Sequence, residues 1–147
     1  MPAASPPYET THLVRDTCLC LHVQRAARAL ARRFDAALRP VGLTNGQFSL
    51  LMSLNRPQPP DMGSVASLLG MDRTTLTASL KPLQRRKLIK IIVDRADRRA
   101  RIMSLTFKGR SVLSSAVPIW KATHAQLESL LPTGTPDRLR RNLRAVS

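Results

Sequence analysis

The chain has 147 residues and a formal charge of +15, set by 24 lysines and arginines against 9 aspartates and glutamates. That length suits one domain, with or without appended helices, and is enough to bury a real core. The charge points to a polyanionic partner, nucleic acid or an anionic membrane surface, and specifies no fold. Tyr8, Phe34, Phe48, Phe107 and Trp120 are the whole aromatic set. They are too few for the stacking platforms that hold single strands, so a duplex is the expected nucleic acid. No segment approaches the ~20 apolar residues of a membrane span, and MPAASPPYETTH lacks the basic start and apolar core of a signal peptide. The expected location is the cytoplasm, where Cys18 and Cys20 remain free thiols.

Residues 1–11, with Pro2, Pro6 and Pro7 among small residues, read as a loose arm. From His12 to Arg39 the pattern is helical. Leu19, Val23, Ala26, Leu30, Phe34 and Ala37 step by three or four, and Arg25, Arg28, Arg32 and Arg39 take another face. On such a helix Cys18 and Cys20 point to different sides and cannot bridge each other. Pro40 ends this helix, because it disfavours helical backbone at the residue before it. Thr44 caps a second helix that turns Phe48, Leu51 and Met52 inward and stops before Arg56-Pro57-Gln58-Pro59-Pro60.

Asp61 starts a short helix, Met62 to Leu69; Gly70 supplies the turn, and Asp72 caps a further helix reaching Lys87. Helix, glycine turn, helix is the helix-turn-helix arrangement. Leu76, Leu80 and Leu83 give the second helix an apolar back. Arg73, Thr74, Thr75 and Thr77 crowd its leading end, where a groove-reading helix contacts bases. Pro82 cannot donate to the Ala78 carbonyl, so the helix is expected to bend or loosen there. Base reading therefore falls to the first two turns, with Lys81 on phosphate or a base edge and Arg85, Arg86 and Lys87 as backbone-facing charge. Ser64, in the first turn of the preceding helix, is placed against the DNA backbone.

After Lys87 the period changes. Leu88 to Val93 and Arg101 to Leu105 alternate as paired strands around a charged tip, Asp94-Arg95-Ala96-Asp97-Arg98-Arg99. This is a wing beside the reading helix, and its arginines suit a narrow minor groove. Half of the 24 lysines and arginines fall between Asp72 and Arg110, against Asp72, Asp94 and Asp97. Thr106 caps a long helix from about Phe107 to Leu131 that contains Pro118, and Thr135-Pro136 starts a last short one. The terminal helices carry more apolar surface than a winged core needs, which favours pairing with a second copy. A two-fold dimer would set two reading helices one DNA turn apart, ~34 Å, on a palindromic site.

The order of elements, together with Leu43-Thr44-Asn45-Gly46-Gln47-Phe48, Asp72-Arg73-Thr74-Thr75-Leu76-Thr77 and the wing running into Ser104-Leu105-Thr106-Phe107-Lys108-Gly109, resembles the MarR family of bacterial transcription regulators. The resemblance covers about Leu13 to Val146. It implies a homodimeric winged helix-turn-helix that usually represses, and that releases DNA on binding a small effector or on cysteine oxidation. By the same resemblance Asp97 and Arg99 fall on the second half of the family's wing pattern D-x-R-D-x-R, while Ala96 replaces its first arginine. That makes Arg99 the minor-groove residue and Asp97 its orienter, and leaves Arg95 and Arg98 as phosphate contacts. Lys87 stands where a helix-ending glycine is usual, and Lys108 where an acidic capping residue is. Cys20 sits where the family's peroxide sensors hold their reactive cysteine. The positions of those sensors' tyrosines correspond to Gln24 and Phe34, so a buried packing role is the favoured reading of Cys20.

The expected fold is mainly α with a small β-hairpin (α+β). A winged helix-turn-helix at 40–106 is flanked by helical dimerisation segments at 12–39 and 107–147. The expected function is a homodimeric, sequence-specific regulator of double-stranded DNA with a palindromic operator, a repressor released by a small-molecule effector. The alternatives are a nonspecific architectural DNA-binding protein, a redox-sensing repressor using Cys20, and a basic protein–protein adaptor without operator binding. His12, His22 and His124 are scattered with no ligand spacing, and no nucleophile–base set or phosphate loop stands in a credible context. No enzyme, cofactor or metal is expected.

Overall fold

The computed structural model describes residues 4–147. Its elements are α1 (Tyr8–Thr17), α2 (Leu19–Leu38), a 3-10 turn (Arg39–Val41), α3 (Asn45–Ser53), α4 (Met62–Leu69), α5 (Arg73–Arg85), β1 (Ile89–Val93), β2 (Arg101–Leu105), α6 (Phe107–Glu128) and α7 (Thr135–Ala145). This is the mainly helical fold with one hairpin that the periodicities predict. The chain divides into two compact units, residues 1–33 and 34–147.

In the first unit two expectations fail. Helix starts at Tyr8, inside the stretch read as a loose arm; residues 1–3 of that arm lie outside the described residues. Pro7 explains the start, since its fixed φ of −58° leads into a first turn it need not donate to. The single long helix is also interrupted. Cys18 adopts extended backbone (φ −70°, ψ 108°) between α1 and α2, so it does not share a helix with Cys20. The Cys18 Sγ accepts from the Leu21 N–H at 3.5 Å, as a cap would. Cys20 is exposed rather than packed, and Gln24 Nε2 donates to its Sγ at 3.2 Å. No residue of α1 is buried, and Leu13 and Leu19 are 61% and 74% exposed.

The second unit carries the core. Leu38, Leu43, Phe48, Leu51, Leu54, Val65, Leu76, Leu80, Leu83, Leu88, Met103 and Leu113 are all buried in one cluster. Each fully buried leucine contributes about 1.5–3 kcal/mol relative to exposure. α3 is fixed by a capping box: Thr44 Oγ1 accepts from the Gln47 N–H, and Gln47 Oε1 accepts from the Thr44 N–H. Met52, expected inside, is 38% exposed. α5 continues through Pro82 to Arg85.

Three devices attach the wing. β1 and β2 pair antiparallel, with Ile89 opposite Leu105 and Val93 opposite Arg101. The Met103 N–H donates to the Pro60 carbonyl at 3.0 Å, and Asp61 bridges to Ile102, so the start of α4 lies along β2. At the other end, the Thr106 N–H donates to Leu88 O at 3.0 Å and its hydroxyl donates to Lys87 O at 2.7 Å. Gly109, the third residue of α6, packs so closely here that a Cβ would stand 2.0 Å from the Leu88 carbonyl oxygen. The same hydroxyl accepts from the Gly109 N–H at 3.0 Å. Lys108 takes no part in the cap; its Nζ donates to Arg86 O at 3.3 Å.

Candidate nucleic-acid interface

Asp72 and Asp61 are the two N-caps that set the helix-turn-helix. Asp72 Oδ1 accepts from the Thr75 N–H at 2.7 Å and Oδ2 accepts from the Thr75 hydroxyl at 2.8 Å. These bonds, the backbone one first, hold the Asp72 carboxyl below its ordinary range. Asp61 Oδ1 accepts from the Ser64 N–H at 2.8 Å, which lowers its carboxyl in the same way, with Arg73 and Arg56 adding a smaller Coulombic pull. Gly70, at φ 63°, makes the turn between the helices.

Arg73, Thr74, Thr75, Thr77, Lys81 and Arg85 are all exposed on α5. Arg73, Thr74, Thr77, Ala78 and Lys81 line one shallow depression along it, so four of the six form a single face. Two of the three threonine hydroxyls, those of Thr75 and Thr77, are already engaged as donors: Thr75 to Asp72, and Thr77 to Arg73 O at 2.8 Å. Those two therefore offer a ligand acceptor oxygens and methyl groups. Ser64 is exposed, and its hydroxyl donates to Asp61 O at 3.2 Å.

A second depression of about 360 Å³ lies between α5 and the wing, lined by Asp61, Met62, Arg73, Thr77, Asp97, Arg99, Ala100 and Arg101. It brings Arg73 and Thr77 together with Arg99, and adds Arg101 and Asp61, which sequence reasoning does not place in the site. Arg101 reads there only as the first residue of a strand, and Asp61 only as a cap. Arg95 and Arg98 are exposed on the tip, away from this lining.

Asp97 orients the wing through the main chain. Its Oδ1 accepts from the Arg99 N–H at 3.0 Å, and among the described residues no ion pair joins its carboxylate to the Arg99 guanidinium. Asp94 does the same for the Ala96 N–H at 2.9 Å, so two Asx turns shape the tip.

Arg86 departs from the placement as backbone-facing charge. It is half-buried, its Nη1 donates to Gln47 Oε1 at 3.4 Å, and its Nη2 would stand 3.2 Å from a Cβ on Gly42. The cause is the end of the helix. Arg86 is the C-cap, and Lys87 follows at φ 58°, the left-handed turn at the position where a glycine is usual. Arg86 thereby ties the rear of α5 to the capping box of α3.

Behind the head, Phe48, Ser49, Met52, Ser53, Leu68, Val117, Trp120 and Lys121 line an open cavity of about 470 Å³. Phe48 and Trp120 stack at 6.0 Å and 16° along its wall. No group of three or more metal-ligating side chains occurs among the described residues, and none of their helices is long and apolar enough to cross a membrane.

The geometry has counterparts of known role. No family model matches the chain. The transcriptional regulator MosR of M. tuberculosis, solved in complex with DNA, is 37% identical, with 88% of this chain and 93% of that one covered and a TM-score of 0.81. A transcriptional repressor, CouR, solved on a 23-mer DNA duplex, is 30% identical, with 90% of this chain and 94% of that one covered and a TM-score of 0.80. The transcriptional activatory protein BadR of Rhodopseudomonas palustris is 29% identical over 97 residues, 64% of this chain and 55% of that protein. The chain spans about half the length of the curated relatives it matches.

Proposed function

Since the chain belongs to the MarR family of transcriptional regulators, a family of DNA-binding proteins and not of enzymes, we propose that it is a homodimeric repressor. It would act in the cytoplasm on a palindromic operator and let go when a small effector binds. The observation that carries the reading is the shared cleft: Arg73 and Thr77 on α5 and Arg99 and Arg101 on the wing line one depression. A duplex laid there meets donors for the major groove and arginines for the minor groove together. Arg73, Thr74, Thr77 and Lys81 read bases or adjacent phosphates, Arg99 enters the minor groove, and Ser64, Arg85, Arg95 and Arg98 hold the backbone. Thr75 chiefly serves the cap. Dimerisation draws on the exposed apolar residues of the terminal helices, among them Leu13, Leu19, Leu139 and Leu143.

Selection of duplexes from a randomised pool tests this reading. It is expected to return an inverted repeat with half-sites one turn apart, ~34 Å. Arg73→Ala is expected to cost ~1–3 kcal/mol and to relax discrimination at one base pair per half-site. A pool with no consensus would instead support charge-driven architectural binding, which the +15 charge favours.

The 470 Å³ cavity is the effector's place in this reading, within the size range of small-molecule sites. Its stacked Phe48 and Trp120 suit a flat apolar body, and Lys121 at its lining suits an anionic end. Phe48 and Ser49 of that lining sit next to Gln47, the residue that holds Arg86 at the rear of α5. A release by oxidation stands beside this reading because Cys20 is exposed, with Gln24 on its sulfur. Mild peroxide then abolishes DNA binding in the wild type and spares Cys20→Ser.

A further inference from the structure

Arg56 and Arg110 stand outside the reading head. Arg56 opens the proline loop after α3, and Arg110 ends the first turn of α6. Both line one hollow of about 200 Å³, together with Asn55, Pro57, Pro59 and Ser104. Each is anchored at one point of its guanidinium: Arg56 Nε donates to Ser53 O at 2.9 Å, and Arg110 Nη1 donates to Leu105 O at 3.0 Å. Among the described residues their remaining N–H groups have no acceptor, and no ion pair joins either side chain to a carboxylate. Asp61 feels Arg56 only weakly, after its own cap and Arg73. Two cations that share a hollow without an acid repel each other, and an anion among them offsets that cost.

This hollow is one end of a longer groove. The cavity behind the head shares Met52 and Val117 with a hollow of about 170 Å³, and that hollow shares Asn55 and Arg110 with the arginine one. On α6 the wall is a stripe in which Arg110, Leu113, Val117 and Lys121 step by three or four, one face of a helix. From Arg110 to Lys121 that stripe rises ~16 Å. α3 supplies the facing wall and runs the opposite way: Phe48 stacks on Trp120 at one end, and Met52 meets Val117 farther along. The middle is therefore apolar and the cations lie at the ends, Lys121 at one and the two arginines at the other.

We propose that this groove takes an elongated ligand, with an apolar body against the Phe48–Trp120 wall and an anionic head between Arg56 and Arg110. The proposal rests on the cavity as the effector's place and deepens that reading: the site selects for length, and the charged end belongs at the far arginines. Charge complementarity favours that end, since a guanidinium receives an anion through paired N–H groups and Lys121 offers only a hydrated point charge. A compact aromatic acid fills the cavity without reaching the arginines. A chain that follows the groove reaches both.

A ruler of ligands tests this. Phenylalkanoates from phenylacetate to phenyloctanoate, and the matching alcohols, are titrated into the full-length protein and read by calorimetry and by the fluorescence of Trp120. Melting temperature and release of the inverted-repeat duplex are followed alongside. Phenyloctanoate is expected to bind about tenfold more tightly than its alcohol, and phenylacetate no more than about twofold. Arg56→Gln with Arg110→Gln, both at exposed positions, is expected to keep the melting temperature, to remove that tenfold and to leave the alcohols unchanged. Lys121→Gln is expected to retain it. An advantage equal at every length, or one that Lys121→Gln removes, overturns the proposal and leaves the anion in the cavity. So does a phenyloctanoate that binds no better than its alcohol. Binding of phenyloctanoate at the arginines without release of the duplex upholds the groove and removes the effector reading instead.

Discussion

α5 and α7 are both basic and amphipathic, and they differ in what lies behind them. α5 buries Leu76, Leu80 and Leu83 completely and is capped by Asp72. α7 buries nothing: Leu139 and Leu143 are 43% and 40% exposed, and Arg140 pairs with Glu128 and Asp137. The arginines of α7 thus point from a helix without a seat, and those of α5 from a helix held at both ends. Two helices of like charge differ in whether a packed face fixes the direction of their side chains. The second unit seats α5 with its own residues, whereas α7, like α1 in the first unit, leaves its apolar residues exposed.

The largest effect tests the seat itself. Gly109→Ala puts a Cβ against the Leu88 carbonyl oxygen, a backbone atom that cannot yield without moving β1. It is expected to cost more than about 3 kcal/mol, read by urea denaturation with the single Trp120 as probe. A loss under 1 kcal/mol would mean that the wing is less firmly clamped than its hydrogen bonds indicate. The opposite side of the comparison is broken by Leu139→Ser with Leu143→Ser. The pair is expected to leave the folded head intact and to weaken self-association at least about tenfold by sedimentation equilibrium. Unchanged association would place the dimer contact elsewhere.

A smaller effect sharpens the rear of α5. Lys87 is the one residue other than glycine with positive φ among those described. Lys87→Gly is expected to stabilise the protein by about 1 kcal/mol, with little change in DNA affinity if this lysine is not a contact. The smallest effect lies in the acid limb. Asp61 and Asp72 are held below their ordinary range by the Ser64 and Thr75 N–H groups. Their stabilising contribution is present above the unfolded value, about 4, and is lost as pH falls through the lower folded value. Melting temperature is expected to be level from about pH 7 to 5 and to fall below about 4. Asp72→Asn, which caps without titrating, flattens that fall.

The α3–β2 order, both hairpin strands and all four side-chain caps, Thr44, Asp61, Asp72 and Thr106, are legible in the sequence. Each rests on local chemistry: a period of 3.6 or 2, an Asp or Thr before an apolar run, a glycine at a turn. Arg86 was not legible, because its direction depends on the left-handed turn at Lys87 and on Gln47, 39 positions away. Nor was the break at Cys18, where the apolar spacing runs on unchanged while the backbone departs from the helix. Asp61 shows the general case. Its capping role follows from its neighbours in sequence, and its place opposite Arg73 and Arg99 exists only after the helix-turn-helix and wing have closed around one cleft.

In the proposed function the head discriminates among duplexes and does not merely attract them. Binding of the full-length protein to its inverted repeat and to the scrambled duplex, measured by anisotropy as salt rises from about 50 to 200 mM, tests it most directly. The two curves are expected to separate, with scrambled DNA released while the repeat remains bound. Parallel loss of both, at one slope and one midpoint, would contradict the account and leave the protein a charge-driven DNA binder.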